Sequence, residues 1–332
     1  MADNRFPLFR IPFLALCIIL DYYGPHDIIQ LSFCSKRSLR VAKKCWKKRE
    51  VVEAEVYVDI VSKINLRFDG TGFNYQFVIS QARAFQHERT HNIRVGDAVV
   101  PSIHKETETV TYWDDKIFGI GKIVGYIKDL FDVPIETLRT IEDQNEFIRY
   151  FDCIMSRQEF FRNCLLGSKV PADGCLERLS GTRKMIGNLW IFGKHSNRHN
   201  WNLHLDYLFI SDGLSLTLQN LTTINCKTLE LLGSSLTSED INQFLKHWQN
   251  GGNPRLKFLY TKMNSIDQEI ITSGINTVSQ PRGLVRYYVG MSGSESYRFG
   301  GIDIRRNDGT VGTILFPYND TFEFGVDLLH KL

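Results

Sequence analysis

A chain of 332 residues with 43% hydrophobic and 23% charged side chains has a globular composition, which excludes a disordered or collagen-like polymer. The formal charge of +3 excludes a coat of one sign over the whole surface, but residues 1–50 carry ten Lys/Arg against four Asp/Glu and stand apart as a basic module. Seven cysteines (Cys17, Cys34, Cys45, Cys153, Cys164, Cys175 and Cys226) lie at least 11 positions apart with no Cys-x-x-Cys. That usage suits reduced thiols in a cytoplasmic or nuclear protein and gives no zinc site.

The apolar run from Ile11 to Leu20 has the length of a signal-peptide core. Pro12 stands at its start, however, and Asp21-Tyr22-Tyr23-Gly24-Pro25 follows without a small-x-small cleavage site. The run is also short of the ~20 apolar residues that span a bilayer, so neither secretion nor a membrane partner is expected. The same residues read as three short helices. Pro12 suits a first turn, with Leu16, Ile19 and Leu20 following at helical spacing; Gly24-Pro25 breaks that helix. His26-Asp27 open a second helix containing Ile28, Ile29, Leu31 and Phe33. Ser35 caps a third, whose Leu39, Ala42, Cys45 and Trp46 share a face opposite the basic residues. So small a module cannot be stable alone. Its surplus apolar surface either docks on a partner or packs on the rest of the chain, and the residues themselves leave both open. The run Lys43-Lys44-Cys45-Trp46-Lys47-Lys48-Arg49 reads as a solvated face, not a nucleic-acid patch, since no second basic cluster supports it.

From Val51 the pattern turns to period two. Residues 52–58 and 64–68 alternate as half-buried strands, 75–79 reads as another, and the polar stretch 81–109 reads as loop. Gly119-Ile120-Gly121-Lys122-Ile123-Val124-Gly125 looks like a phosphate cradle, but it lacks Gly-Lys-Ser/Thr and has Val at position 124, where a dinucleotide fingerprint needs Gly. Ile120, Ile123, Val124, Ile127 and Phe131 recur at helical spacing, so a helix packed on the sheet is expected.

Residues 142–161 and 173–186 read as helices, with strands near 189, 205, 229 and 256. Thr237-Ser238-Glu239-Asp240 has the form of a helix start. Ile241, Phe244, Leu245 and Trp248 make one face, and Asn250-Gly251-Gly252-Asn253-Pro254 stops the helix. Strands separated by 16, 24 and 27 residues suggest a leucine-rich-repeat-like solenoid of strand–helix units, although the repeat consensus is missing. Asn307-Asp308-Gly309 joins two further strands in a hairpin. The expected fold is therefore mixed α+β and α/β. A three-helix module occupies 1–48, a β-rich segment with a packed helix 49–140, a repeat-like α/β region 141–280, and an antiparallel β segment 281–332.

Phe6-Pro7-Leu8-Phe9-Arg10-Ile11-Pro12, with Leu16, Ile19-Leu20, Ile28-Ile29-Gln30-Leu31-Ser32 and Cys34-Ser35-Lys36-Arg37, resembles an F-box of the variant in the family expanded in nematodes. Residues 236–256, from Leu236-Thr237-Ser238-Glu239-Asp240 to Asn253-Pro254-Arg255-Leu256, resemble the type-2 F-box-associated domain of that family, which would span about 203–270. The C-terminal pattern of the family is found in Ile302-Asp303-Ile304-Arg305-Arg306-Asn307-Asp308-Gly309. The resemblance implies a non-catalytic substrate receptor of a Skp–cullin–F-box ubiquitin ligase. Ile11, Pro12, Leu16, Leu20, Ile28 and Leu31 would then dock on the Skp-type adaptor, and through it on a cullin. In a solenoid, extended partners lie along the strand face. Trp190, Phe192, Tyr207, Phe209, Tyr260 and Lys262 are the candidates there to contact a protein target.

No catalytic set stands out against this. His195, His199 and His204 lie in a stretch rich in Gly, Ser and Asn that reads as an exposed loop without a fourth ligand, and no Gly-x-Ser-x-Gly elbow occurs. Neither metal, cofactor nor nucleic acid is expected. The alternative is a small-molecule enzyme or non-ligase scaffold whose N-terminal helices pack on its own core.

Overall fold

A computed structural model describes residues 8–45, 51–59, 61–68, 74–82, 90–141, 144–169, 171–181, 185–196, 201, 203–289 and 295–330. The chain forms two units, residues 1–139 with 149–159, and 140–148 with 160–332.

In the first unit a 3-10 turn at Leu8–Arg10 leads into α1 (Phe13–Leu20), α2 (Pro25–Phe33) and α3 (Lys36–Cys45). Pro25 fills the first turn of α2, where its missing N–H costs nothing, and Asp27 accepts the Gly24 N–H at 3.1 Å. The Ser35 hydroxyl accepts the Ser38 N–H at 3.0 Å, the cap expected for α3. Trp46 lies outside the described residues. The strands are β1 (Val51–Val58), β2 (Ser62–Phe68), β3 (Asn74–Gln81), β4 (His91–Val95), β5 (Ala98–His104), β6 (Glu108–Trp113) and β7 (Thr137–Thr140). They lie in the order β7–β1–β2–β3–β6–β5–β4. β3 and β6 are parallel, while β1–β2, β2–β3, β5–β6 and β4–β5 are antiparallel.

α4 (Lys116–Phe131) packs against this sheet and contains the glycine run, so the phosphate-cradle pattern is a helix. Asp115 caps it, accepting the Ile117 N–H at 2.8 Å. Much of residues 81–109 is strand, not loop. Ile93, Val95 and Val100 are buried at alternating positions, and the turn between β4 and β5 is made by Gly96 at φ 63°. Two short strands with so few apolar residues leave little periodic signal. Residues 83–89 lie outside the described set.

α2 supplies part of this unit's core. Phe33 stacks on Tyr126 of α4 with centroids 4.9 Å apart and meets Phe77 of β3 edge-on at 6.3 Å. Gln30 reaches the Tyr75 hydroxyl at 3.3 Å and His104 at 3.0 Å, and Ser32 hydrogen-bonds the Tyr126 hydroxyl. Burial drives the Tyr126 phenol far above its ordinary range, so it stays neutral.

α5 (Gln144–Met155) contributes residues to each unit. It ends at Met155, not near 161, because Phe160 and Phe161 open β8 (Phe160–Leu166). The next helix, α6 (Asp173–Ser180), also stops short of the expected 186, and β9 (Met185–Ile191) starts there. Then follow β10 (Tyr207–Ile210), α7 (Leu218–Thr223), β11 (Thr228–Leu231), α8 (Ser238–Gln249) and β12 (Phe258–Lys262). β8 to β12 are parallel neighbours in chain order. Leu189, Ile191, Leu208, Ile210, Leu229, Leu231 and Leu259 are buried on one face of them. The helices differ in length, from 6 residues in α7 to 12 in α8, so the strand–helix units are unequal.

Asparagines tie successive units together. Asn253 donates to the Leu221 and Ile224 carbonyls at 3.1 and 2.9 Å, satisfying the end of α7. Asn242 donates to the Ile271 and Ser273 carbonyls, both at 2.8 Å, holding α9 (Gln268–Thr272). The C-terminal strands are β13 (Thr277–Val289), β14 (Glu295–Arg305), β15 (Val311–Tyr318), β16 (Thr321–Val326) and β17 (Leu329–His330). They form an antiparallel sheet in the order β12–β16–β15–β14–β13–β17. The hairpin between β14 and β15 turns at Gly309, φ 95°, a left-handed conformation that favours glycine.

Candidate functional site

All eight residues of α1, Phe-Leu-Ala-Leu-Cys-Ile-Ile-Leu, are apolar. A helix apolar all round is normally enclosed on every side, and this one is not. Leu16 and Leu20 point inward and are buried, whereas Leu14 is 78% and Ile18 60% exposed, one helical turn apart on the opposite side. Phe13 and Pro12 are exposed beside them. Of the six residues assigned to adaptor docking, Pro12 is exposed, Ile11 and Leu31 are half-buried, and Leu16, Leu20 and Ile28 are buried core. Leu14 and Ile18 escape the sequence reading because a helix with no polar residue has no pattern to say which side faces out.

The inward side of α1 meets α3, where Cys17 Sγ lies 2.6 Å from Cys45 Sγ. Burial, with Cys17 beside it, pushes the Cys45 thiol up to about 12, so it remains protonated. Arg37 of α3 donates to the Phe9 carbonyl at 2.8 Å, with its guanidinium 5.4 Å from the Phe9 ring. Lys44 lies 5.8 Å from the centre of the Phe13 ring. The basic face of α3 thus borders the exposed apolar stripe.

In the second unit the strand register brings the proposed target-contact residues to one face. Leu165, Trp190, Phe209, Glu230, Tyr260 and Glu323 follow one another across six adjacent strands. Trp190 packs on Tyr207 and Phe192 on Phe209, each pair with centroids 5.3 Å apart. Trp190, Tyr207, Phe209 and Tyr260 are half-buried, and Phe192 and Lys262 exposed. Lys262 is spoken for by Asp320 at 3.6 Å.

Glu230 stands between Phe209 and Tyr260, a carboxylate that alternation alone would assign to an ordinary solvent-facing position. Burial holds its carboxyl above the usual range, Glu323 adds to this, and a hydrogen bond from the Tyr207 hydroxyl opposes it. Farther along, Tyr288 of β13 stacks on Phe258 at 4.0 Å, and Arg298 of β14 pairs through two nitrogens with Glu323. Beyond that pair a cleft of about 700 Å³ opens, rimmed by Tyr297, Phe299 and Tyr318.

His195 and His204 belong to no metal-binding group among the described residues. His195 is buried against Trp201 with centroids 5.4 Å apart, not displayed on an exposed loop, while His204 is exposed and His199 lies outside the described residues. Among the described residues no group of three or more His, Cys, Asp or Glu could hold a metal ion, and no helix is long and apolar enough to cross a membrane. Cys164 and Cys226 are buried thiols driven upward by desolvation, the opposite of an activated nucleophile.

Compared with known families, residues 8–50 match the F-box domain and residues 196–261 match the F-box associated family. The second match begins before β10 and ends within β12. Two proteins of Caenorhabditis elegans are similar along most of the chain. Uncharacterized protein F59B2.8 is 20% identical over 335 residues, covering 95% of this chain and 75% of that protein. Uncharacterized protein F59B2.9 is 22% identical over 334 residues, covering 93% and 75%. No solved structure matches.

Proposed function

We propose that this protein, an F-box followed by an F-box-associated segment with nematode relatives, is the substrate-recognition subunit of a Skp–cullin–F-box ubiquitin ligase. The observation that carries the reading is α1, apolar on every side and enclosed on only one. An exposed Leu14–Ile18 stripe bordered by Phe13 and Pro12 is the surface a helical adaptor groove would cover. The second unit, a short solenoid of leucine-rich-repeat type closed by an antiparallel sheet, would hold the target on its aromatic strand face. The protein would then do no chemistry of its own: fixing target and ligase in one complex raises the effective concentration of the target lysine. A cytoplasmic or nuclear location follows, since the ligase machinery works there and the thiols are free.

The test is co-expression of the full chain with a Skp-type adaptor. The wild-type should co-purify with the adaptor, and Leu14→Asp with Ile18→Asp should abolish this while the melting temperature stays unchanged. Adaptor binding that survives both charges, or that never occurs, removes the F-box reading.

A further inference from the structure

Glu230 is the feature of the strand face that packing does not explain. A carboxylate placed among aromatic rings and half withdrawn from water needs a counter-charge, or it gives up its own charge. The Tyr207 hydroxyl supplies a hydrogen bond but no charge. Among the described residues no cation lies within ion-pair distance of Glu230. Two basic side chains of the second unit's strands are already committed, Arg298 to Glu323 and Lys262 to Asp320. Glu230, Glu323 and Arg298 together leave one negative charge in excess.

The geometry around that charge is selective. Phe209 and Tyr260 flank Glu230 on the neighbouring strands, about 4.8 Å away on each side. Trp190 continues the same row, and the Tyr288–Phe258 stack closes one end. Ring faces carry negative quadrupole density and attract cations, most strongly where water is excluded. An apolar side chain here would leave the carboxylate desolvated without compensation. An acidic one would be repelled by the uncompensated charge of Glu230. A Lys or Arg stem can lie along the rings while its head reaches Glu230.

We infer that the strand face of the second unit recognises a basic side chain, a Lys or Arg of an extended protein segment seated between the Trp190–Phe209 and Tyr260 rings with its charge on Glu230. This rests on the reading of that face as the target-binding surface and names the chemistry it selects.

The probe is a displayed library of random peptides, selected on the full-length protein bound to its adaptor and counter-selected on adaptor alone. Enriched peptides should share a Lys or Arg flanked by apolar residues. Glu230→Gln keeps the shape while removing the charge, and should weaken a selected peptide about tenfold or more. Replacing the peptide's basic residue by norleucine should cost the same, and the two changes together should cost little more than either alone. Trp190→Ala and Phe209→Ala should also weaken it. If Trp190→Ala and Phe209→Ala weaken binding but Glu230→Gln does not, or if the enriched peptides lack basic residues, the face stands as a docking surface and the cation inference is overturned. Peptides indifferent to all three substitutions, or no enrichment over adaptor alone, overturn both.

Discussion

Arg286 on β13 grips Asp303 on β14 with both ends of its guanidinium, Nη1 to Oδ1 at 2.5 Å and Nη2 to Oδ2 at 2.8 Å, with side chains only 5% and 14% exposed. Asp303 also accepts the Thr313 hydroxyl and the Gln280 amide, each at 2.8 Å, and Arg286 donates to Thr313 as well. This network pins β13, β14 and β15 together. Removing one partner strands the other charge, so Asp303→Asn should destabilise the unit by ~3–5 kcal/mol in urea unfolding. Burial alone would raise the Asp303 carboxyl, but the bonds from Arg286, Thr313 and Gln280 outweigh it and hold the group below its ordinary value. An unfolded Asp titrates at ~3.9, so this stabilisation is complete above that pH and is lost as pH falls through the lower folded value. Unfolding midpoints taken between neutral and strongly acidic pH should fall less steeply in Asp303→Asn than in the wild-type. Equal slopes would dispose of the charge assignment.

Trp248 joins α8 to the C-terminal sheet. It is fully buried, edge-on to Phe324 at 4.9 Å, with the Arg306 guanidinium 5.3 Å from its ring. Trp248→Ala should cost ~3–5 kcal/mol. Gly312 explains the fit, because a Cβ there would sit 2.3 Å from Phe324 Cζ. Gly312→Ala should therefore destabilise through overpacking by ~1–3 kcal/mol. Calorimetry on both variants checks the pair, and a neutral Gly312→Ala would mean that Phe324 moves aside freely.

The glycines of α4 separate packing from cradle chemistry. A Cβ on Gly119 would lie 2.6 Å from Trp113 Cγ, whereas one on Gly125 would meet nothing within 4 Å. Gly119→Ala should destabilise the first unit. Gly125→Ala removes a flexible residue from a helix interior and should stabilise it by ~0.5–1 kcal/mol. Thermal melts of the two variants should shift in opposite directions. A shift in the same direction would break the argument that Gly119 marks a close helix–sheet approach.

Strong periodicity was readable in advance, and sparse or saturated periodicity was not. α8 announced itself through the Thr237–Asp240 start and the Ile241, Phe244, Leu245, Trp248 face, and each of these appears in place: Thr237 and Asp240 cap each other, and all four apolar residues are buried. The aromatic positions of β9, β10 and β12 were legible for the same reason, since alternation sends Trp190, Tyr207, Phe209 and Tyr260 to one face. β4 and β5 escaped because three buried aliphatics in fourteen residues make no pattern. The ends of α5 and α6 were misjudged where apolar residues continue across a helix–strand boundary, as at Phe160-Phe161 and Met185-Ile186. α1 failed in the opposite way. With every position apolar, spacing named the helix but could not say which side was core.

That two-sidedness gives the last prediction its form. Leu16 and Leu14 are the same residue type two positions apart on one helix, the first buried and the second exposed. Truncating the buried leucine leaves a cavity between α1 and the rest of the module, so Leu16→Ala should cost ~2–5 kcal/mol of stability in the free protein. Truncating the exposed one should change stability by less than ~0.5 kcal/mol. Adaptor affinity should respond in the reverse sense. On the proposed reading Leu14→Ala removes a side chain the adaptor would cover, and should weaken binding by ~2 kcal/mol, about thirtyfold. Leu16→Ala, assayed well below its melting temperature, should bind with nearly wild-type affinity. Calorimetric melting of the free chain and titration with adaptor together fill a two-by-two comparison. Stability loss confined to Leu16→Ala and affinity loss confined to Leu14→Ala would support docking through the outer side of α1. If Leu16→Ala lost affinity while Leu14→Ala kept it, the contact would have to be made by the inner side, which would require the helix to turn over on binding.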